Sequence, residues 1–373
     1  MAKSNFLVTG GAGFIGSHLV DRLVREGHHV RILDNLEPQV HQVDISDYLN
    51  PDAEFMQGDV RDRNALLSAL EGVSVVYHYA AAVGVGQSMY QINHYVDVNT
   101  NGTANLLDVL VNEKHSVEKL VVASSMSVYG EGAYECVDCG IVHPIMREER
   151  QLKSHEWEMR CPYCGNIVGP VLTSETKPLN PTSIYALTKR HQEEMCLLVG
   201  KTYGIPTVAL RFFNVYGPRQ SLSNPYTGVC AIFLSRIKKN SPPVIFEDGL
   251  QSRDFVSVQD IVNASILVKD KRMADYGVFN VGTGVQTTIL EVAETLIKLY
   301  GKDFKPVIEN KFRVGDIRHC YADISKMKKL GFKPKVDLIS GMRKLVEWGG
   351  EQEAEDKTEK ALWELNQKKL LSN

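Results

Sequence analysis

Thr9-Gly10-Gly11-Ala12-Gly13-Phe14-Ile15-Gly16 is the stretch that decides the fold. The apolar run Phe6-Leu7-Val8 precedes it. Ile15, Leu19, Val20, Leu23 and Val24 follow on one helical face. Gly10, Gly13 and Gly16 form G-x-x-G-x-x-G. The first permits a tight turn, the second lets the backbone approach a pyrophosphate, and the third lets the helix pack closely on a sheet. A helix start also offers free N–H groups and partial positive charge to an anion. The plainer reading is a strand-helix turn with no ligand, and the next strand argues against it. Val30-Arg31-Ile32-Leu33 ends at Asp34, 24 residues after Gly10. A carboxylate there accepts hydrogen bonds from adenosine ribose hydroxyls and repels a 2′-phosphate. The expected cofactor is therefore NAD rather than NADP, with Arg31 turned away by the strand alternation.

Outward from this loop the pattern repeats. Val75-Val76-Tyr77 and Leu120-Val121-Val122-Ala123 read as buried parallel strands. Leu66, Leu67 and Leu70, and then Ala104 to Val111, mark helices between them. Such alternation predicts an α/β, Rossmann-type doubly wound parallel sheet. The 373 residues suit about two domains. The expected division is an NAD-binding domain over 1–214 with a return segment near 255–282. A smaller, discontinuous α/β substrate domain would cover 215–350, with a Cys-rich insertion at 131–173 and a charged helical tail at 351–373. The tail reads most simply as a solvated helix. A net charge of −3 argues against a dedicated nucleic-acid binder. No apolar run is long enough for a membrane span, and Met1-Ala2-Lys3-Ser4 does not open a signal peptide. A cytoplasmic protein with mostly reduced cysteines is expected.

Tyr185 and Lys189 stand on one helical face, entered through Pro181-Thr182-Ser183. Alone, Y-x-x-x-K is commonly a solvated face. Coupled to the glycine loop and Asp34 it becomes a candidate acid/base pair. A nearby ammonium and a nicotinium charge would favour the phenolate of Tyr185. That phenolate can take a hydroxyl proton while hydride leaves the same carbon.

With these residues in place the chain resembles the extended short-chain dehydrogenase/reductases of the nucleotide-sugar epimerase/dehydratase group. The resemblance covers nearly the whole chain except the insertion and the tail. It rests on Thr9–Ser17, Asp59-Val60, Ala80-Ala81-Ala82, Asn99-Thr100-Asn101-Gly102-Thr103, Ser124–Gly130, Tyr185/Lys189, Arg211–Arg219 and Arg253-Asp254-Phe255-Val256. It implies a cofactor set of Gly10, Gly13, Phe14, Ile15, Gly16, Asp34, Asn35, Asp59, Val60, Ala80, Ala81, Ala82, Asn99, Tyr185 and Lys189. It implies Ser125 as the hydroxyl partner of the reacting group, with Tyr185 and Lys189. Substrate contacts would come from Ser125, Met126, Val85, Gln87, Asn214 and Arg253, with Arg318 as a further pyrophosphate contact. An arginine fork suits phosphate. Family dehydratases carry Asp-Glu after the Ser/Thr. Met126-Ser127 stand here instead, so the resemblance implies oxidation and reduction without dehydration.

The implied reaction is carbon-4 epimerisation of a nucleotide-diphosphate sugar through a 4-keto intermediate, with NAD kept bound. Val83–Tyr90 and the Cys-rich insertion resemble members acting on dTDP-L-rhamnose, which give dTDP-6-deoxy-L-talose. UDP-glucose/UDP-galactose epimerisation is the alternative. The resemblance also implies a homodimer through the helix near Thr103–Glu113 and the helix of Tyr185. No membrane or nucleic-acid partner is expected.

Cys136-x-x-Cys139 and Cys161-x-x-Cys164, each followed by Gly, have zinc-knuckle spacing. Four thiolates suit a closed, structural zinc site. Iron in a rubredoxin-like site, or two redox dithiols, are the other readings. The insertion falls between Ser125 and Tyr185 in sequence, which suggests a lid near the substrate mouth or an oligomer contact. A zinc-ribbon partner- or nucleic-acid-binding protein on an NAD fold is the competing class, as is a redox-sensing regulator. Both leave the set Ser125, Tyr185 and Lys189 unexplained.

Overall fold

The structure, a computed structural model, describes residues 4–41, 48–313 and 315–372. Met1 to Lys3, read above against a signal peptide, lie outside them. Among the described residues no helix is long and apolar enough to cross a membrane.

Seven parallel strands form the central sheet. They are β1 (Asn5–Thr9), β2 (His29–Asp34), β3 (Glu54–Gln57), β4 (Val75–His78), β5 (Lys119–Ser125), β6 (Thr207–Phe212) and β7 (Gly277–Val281). Their order is β7-β6-β5-β4-β1-β2-β3. Strand order reverses between β1 and β4, which pair as Phe6↔Val75 to Thr9↔His78. The carboxyl ends of these two strands open the crevice where such sheets take ligands. The central strands are buried on both faces, which is why they read as continuous apolar runs rather than alternations. This is the Rossmann-type architecture expected from the glycine loop and the repeated strand-helix pattern.

Helices α1 (Phe14–Arg25), α2 (Arg63–Leu70), α3 (Gly102–Asn112) and α4 (Ile184–Tyr203) cover the sheet. Beyond β6, α5 (Val229–Lys238), α7 (Ile289–Leu299) and α8 (Leu338–Glu351) share their own apolar core around Phe233, Leu296 and Leu345. Between them α6 (Val258–Lys269) packs on α1, and β7 rejoins the main sheet beside β6.

The Cys-rich insertion is a three-stranded antiparallel sheet of Ala133–Cys136, Gly140–Val142 and Gly169–Val171. Tyr134, Cys136, Val142, Met159, Cys161 and Val168 form a small core of its own.

The chain ends in α9 (Thr358–Gln367) and a short strand, Leu371–Ser372, paired antiparallel with Phe312–Arg313. The expectation of a solvated tail is thus corrected. Ala361 and Leu365 are buried, because the apolar side of α9 packs on the body of the molecule.

Candidate active site

The site begins at the glycine loop. Gly10 has φ +69°, and a Cβ there would lie 2.8 Å from the Ala80 backbone. A Cβ on Gly16 would lie 2.2 Å from the Gly10 carbonyl oxygen. Only glycine lets these segments close on one another. Gly13 caps α1 with no side-chain bond, so the first N–H groups of α1 remain available to an anion.

Asp34 ends β2 almost buried. Its carboxylate accepts from the Ala12 N–H at 3.1 Å and the Leu36 N–H at 2.9 Å. The same side chain therefore ties the glycine loop to the end of β2. Arg31 is occupied elsewhere, by Glu54 at 2.9 Å and by carbonyls at the end of α2. Arg31 is therefore not left to receive a 2′-phosphate. Asp59 is held well below the usual carboxylate range, at about 2, because hydrogen bonds from Arg61 and Asn35 outweigh its partial burial. The donor set and the two close-approach glycines fit an adenine dinucleotide.

One cavity of about 640 Å³ joins this half to the reacting centre. Gly10, Gly13, Phe14, Ile15, Gly16, Asp34, Asn35, Asp59, Val60 and Ala80 to Ala82 line it. So do Val85, Gln87, Ser125, Met126, Tyr185, Lys189, Asn214 and Arg253.

Helix α4 places the reacting residues. Ser183 starts it by accepting from the Ala186 N–H at 3.1 Å. Lower on α4, Glu193 accepts from Ser124 of β5 at 2.6 Å and from Arg211 of β6 at 2.5 Å. This buried ion pair pins the helix across two strands. Tyr185 and Ser125 line the cavity together. Burial raises the Tyr185 pKa, and the Ser125 side chain opposes the rise. Lys189 is buried one turn on and donates to Gln192 Oε1 at 2.9 Å. Burial brings its ammonium down to about 8. In the protein alone, burial outweighs the lowering of the Tyr185 pKa expected from its neighbour.

His78 is a packed strand residue. Its ring bridges Thr9 and Thr103 at 2.9 Å on each side. Burial takes its pKa down to about 3.

Two sequence-derived assignments are corrected. Arg318 is fully buried outside the cavity. Its guanidinium binds Glu158 at 2.5 Å, Glu247 at 2.9 Å and Asp248 at 2.7 Å. A guanidinium so enclosed by carboxylates has no fork left for a pyrophosphate. Asn99 is fully buried too. It accepts from the Ala82 N–H at 2.7 Å and donates to Thr188 at 3.0 Å, so it positions the cofactor-groove backbone instead of touching a ligand.

Arg253 does line the cavity. It is fixed by the carbonyls of Ser252, Ile317 and Arg318 at 2.8, 2.6 and 3.0 Å. Asn214 Oδ1 is buried there with no hydrogen-bond partner among the described residues. None of residues 131–173 lines the cavity, so the insertion sits outside the cleft and not over it as a lid would.

Several lining residues escaped the sequence reading. Val229, Phe233, Val244–Phe246, Tyr226 and Leu365 also line the cavity. The turn Asn224-Pro225-Tyr226 was a visible signal, but only as a turn.

Residues 6–146 and 164–282 match the model of the NAD dependent epimerase/dehydratase family. This chain belongs to that family. Its gap, 147–163, falls inside the Cys-rich insertion. Relatives in the family include a dTDP-L-rhamnose 4-epimerase of Burkholderia thailandensis, 37% identical over 92% of this chain and 94% of its own. A putative UDP-glucose 4-epimerase of Methanocaldococcus jannaschii is 35% identical over 92% and 97%. Among solved structures, the UDP-glucose 4-epimerase of Thermotoga maritima with UDP-glucose superposes with TM-score 0.75 at 31% identity, covering 92% of this chain and 98% of that one. The UDP-glucuronic acid 4-epimerase of Bacillus cereus, bound to UDP-glucuronic acid and NAD, gives 0.76 at 28%, with 92% and 98% covered.

Proposed function

We propose that this family member is an NAD-dependent nucleotide-sugar 4-epimerase whose substrate is dTDP-L-rhamnose and whose product is dTDP-6-deoxy-L-talose. The observation that carries the reading is the convergence of Ser125, Tyr185 and Lys189 in one cavity with Asp34 and the glycine loop. Bound NAD supplies a reversible hydride acceptor. The chain's own residues do the rest. Tyr185 takes the proton of the carbon-4 hydroxyl, and Ser125 orients that hydroxyl. Lys189, buried beside them, favours the charged phenolate. Arg253 and Asn214 hold the pyrophosphate while the 4-keto sugar turns over, and Tyr185 returns the proton to the carbon-4 oxygen as that carbon is reduced on its opposite face. Met126 and Ser127 provide no carboxylates for elimination of water. The sugar and base rest on the 37% relative and the apolar Val85 and Met89. NMR of the sugar protons after incubation without added NAD tests this reading. A carbon-4 epimer from dTDP-L-rhamnose supports it. Turnover of UDP-glucose alone moves the reading to the alternative substrate.

The four Sγ atoms of Cys136, Cys139, Cys161 and Cys164 lie within 4.8 Å of one another. That spacing fits a tetrahedral thiolate site, and two of the four are buried. We assign structural zinc to it. Homodimerisation through α3 and α4 is supported by their side-by-side packing and by exposed Leu187 and Leu198 on α4. Light scattering showing a monomer at micromolar concentration would overturn the dimer.

A further inference from the structure

Helix α9 lies against the reacting end of the cleft. Thr358, Ala361, Leu362, Leu365 and Leu370 line the same cavity as Tyr185. Three anchors hold the segment there. Glu364 Oε2 accepts from the hydroxyls of Tyr90 at 2.9 Å and Tyr226 at 2.5 Å. Leu371–Ser372 pairs with Phe312–Arg313. Leu365 packs over Gly86 so closely that a Cβ on that glycine would come within 3.1 Å of Leu365 Cδ2. The loop of Gly86 also touches the reacting helix, since Ser88 Oγ accepts from the Tyr185 N–H at 3.0 Å. The tail thus meets the cleft near Tyr185 and away from the adenosine end built by Asp34 and Asp59.

The surfaces that face each other here are hydrocarbon. Val85 and Met89 line the cavity yet remain 40% and 38% exposed, so each has surface left to bury against a ligand. Glu364, the carboxylate on this side of α9, is turned to the two tyrosines. Its pKa is lowered, first by the hydrogen bond from Tyr226.

We propose that the segment 358–371 is a specificity element, in which Leu362 and Leu365, latched through Glu364, join Val85 and Met89 in an apolar wall for the exocyclic carbon of the sugar. The wall selects a methyl group over hydroxymethyl or carboxylate. A methyl group gains by leaving water for hydrocarbon. A hydroxyl loses its hydrogen bonds to water there, and a carboxylate loses more. This inference rests on the reading of the cleft as a nucleotide-sugar site.

The test compares kcat/KM for dTDP-L-rhamnose, UDP-glucose and UDP-glucuronate in the full chain and in Leu365→Ser and Leu365→Met. The wild type should prefer the 6-deoxy sugar. Leu365→Ser should lower that preference by about three- to tenfold, with bound NAD unchanged, and Leu365→Met should restore it. A purely structural role for Leu365 would lower all three substrates together. Should Leu365→Ser fail to fold, Leu362→Ser carries the same comparison from a half-buried position. An unchanged preference ratio in the folded serine variant overturns the wall. So does a wild type that prefers UDP-glucose or UDP-glucuronate, although epimerisation itself then stands. A wild type that holds NAD and epimerises none of the three overturns the functional reading and the wall with it. The two failures are therefore told apart by the wild type alone.

Discussion

The Tyr185 N–H donates to Ser88 Oγ at 3.0 Å, and the Ser88 hydroxyl donates in turn to the Val85 carbonyl at 2.7 Å. A helix leaves its first N–H groups without intrahelical partners. Here the short turn Val85–Ser88 satisfies one of them and ties the cleft wall to the start of the reacting helix. Ser88→Ala removes both bonds inside a fully buried site. It should lower stability by about 1–3 kcal/mol in chemical denaturation and reduce kcat, with bound NAD retained. An unchanged kcat would show that the loop does not hold Tyr185.

Tyr185→Phe keeps the ring in place and removes the proton carrier. Turnover should fall by about 10²- to 10⁴-fold, while NAD released on denaturation stays at the wild-type amount. Near-wild-type turnover would remove Tyr185 from the proposed chemistry.

Lys189 gives a stability signature independent of substrate. Burial holds its folded-state pKa at about 8, below the ordinary lysine value of 10.5. At pH 7 both folded and unfolded states carry the proton, and the charged form is penalised in the fold. Between pH 8 and 10.5 the unfolded chain binds the proton more tightly, so the Lys189 contribution makes stability rise with pH. Urea unfolding of wild type and Lys189→Met at pH 7.5 and pH 10 reads the difference. The wild type should gain relative to the variant over this interval, by up to about 3 kcal/mol. Parallel curves would contradict the lowered pKa.

Arg318 separates a structural role from a ligand role. Removing one partner of a buried ion pair strands the others, at about 3–5 kcal/mol. Arg318→Met takes the guanidinium from Asp248 and Glu158 and leaves Glu247 with Arg147 alone; the Glu158 pKa is held at about 2, first by His319 and then by Arg318. The melting temperature should drop sharply while KM of the folded fraction changes little. A large KM increase in a normally stable variant would restore the pyrophosphate role.

Cys161→Ser removes a buried ligand of the four-cysteine cluster. Metal content by mass spectrometry should fall, and the insertion should become protease-sensitive. The kcat should stay close to wild type, because no insertion residue lines the cleft. Wild-type protein purified without any metal would refute the zinc assignment.

How much of this was legible in the sequence follows from the range of each interaction. The glycine loop, Asp34, and Tyr185 with Lys189 are each set by local spacing on one turn, strand or helix, and could be read directly. Arg318 could not, because Gly315-Asp316-Ile317-Arg318 looks the same whether it meets phosphate or carboxylate. Its partners Glu158 and Glu247 lie 160 and 71 residues away. The leucines of α9 likewise show an apolar side without saying what covers it. Glu364 looked like surface charge until Tyr90 and Tyr226, 274 and 138 residues distant, were seen to share it.

The insertion also explains how so much chain can separate Ser125 from Tyr185. Its first and last strands pair antiparallel, Ala133 against Val171, and the Ala133 N–H donates to Thr173 Oγ1 at 3.0 Å. Entry and exit are therefore neighbours, clasped before the chain returns toward α4. A segment joined in this way adds little closure entropy to the rest of the fold. Its outer turns can change in length without shifting the pair on β5 and α4, whereas Arg147 and Glu158, bound to Glu247 and Arg318, rivet its middle stretch to the body.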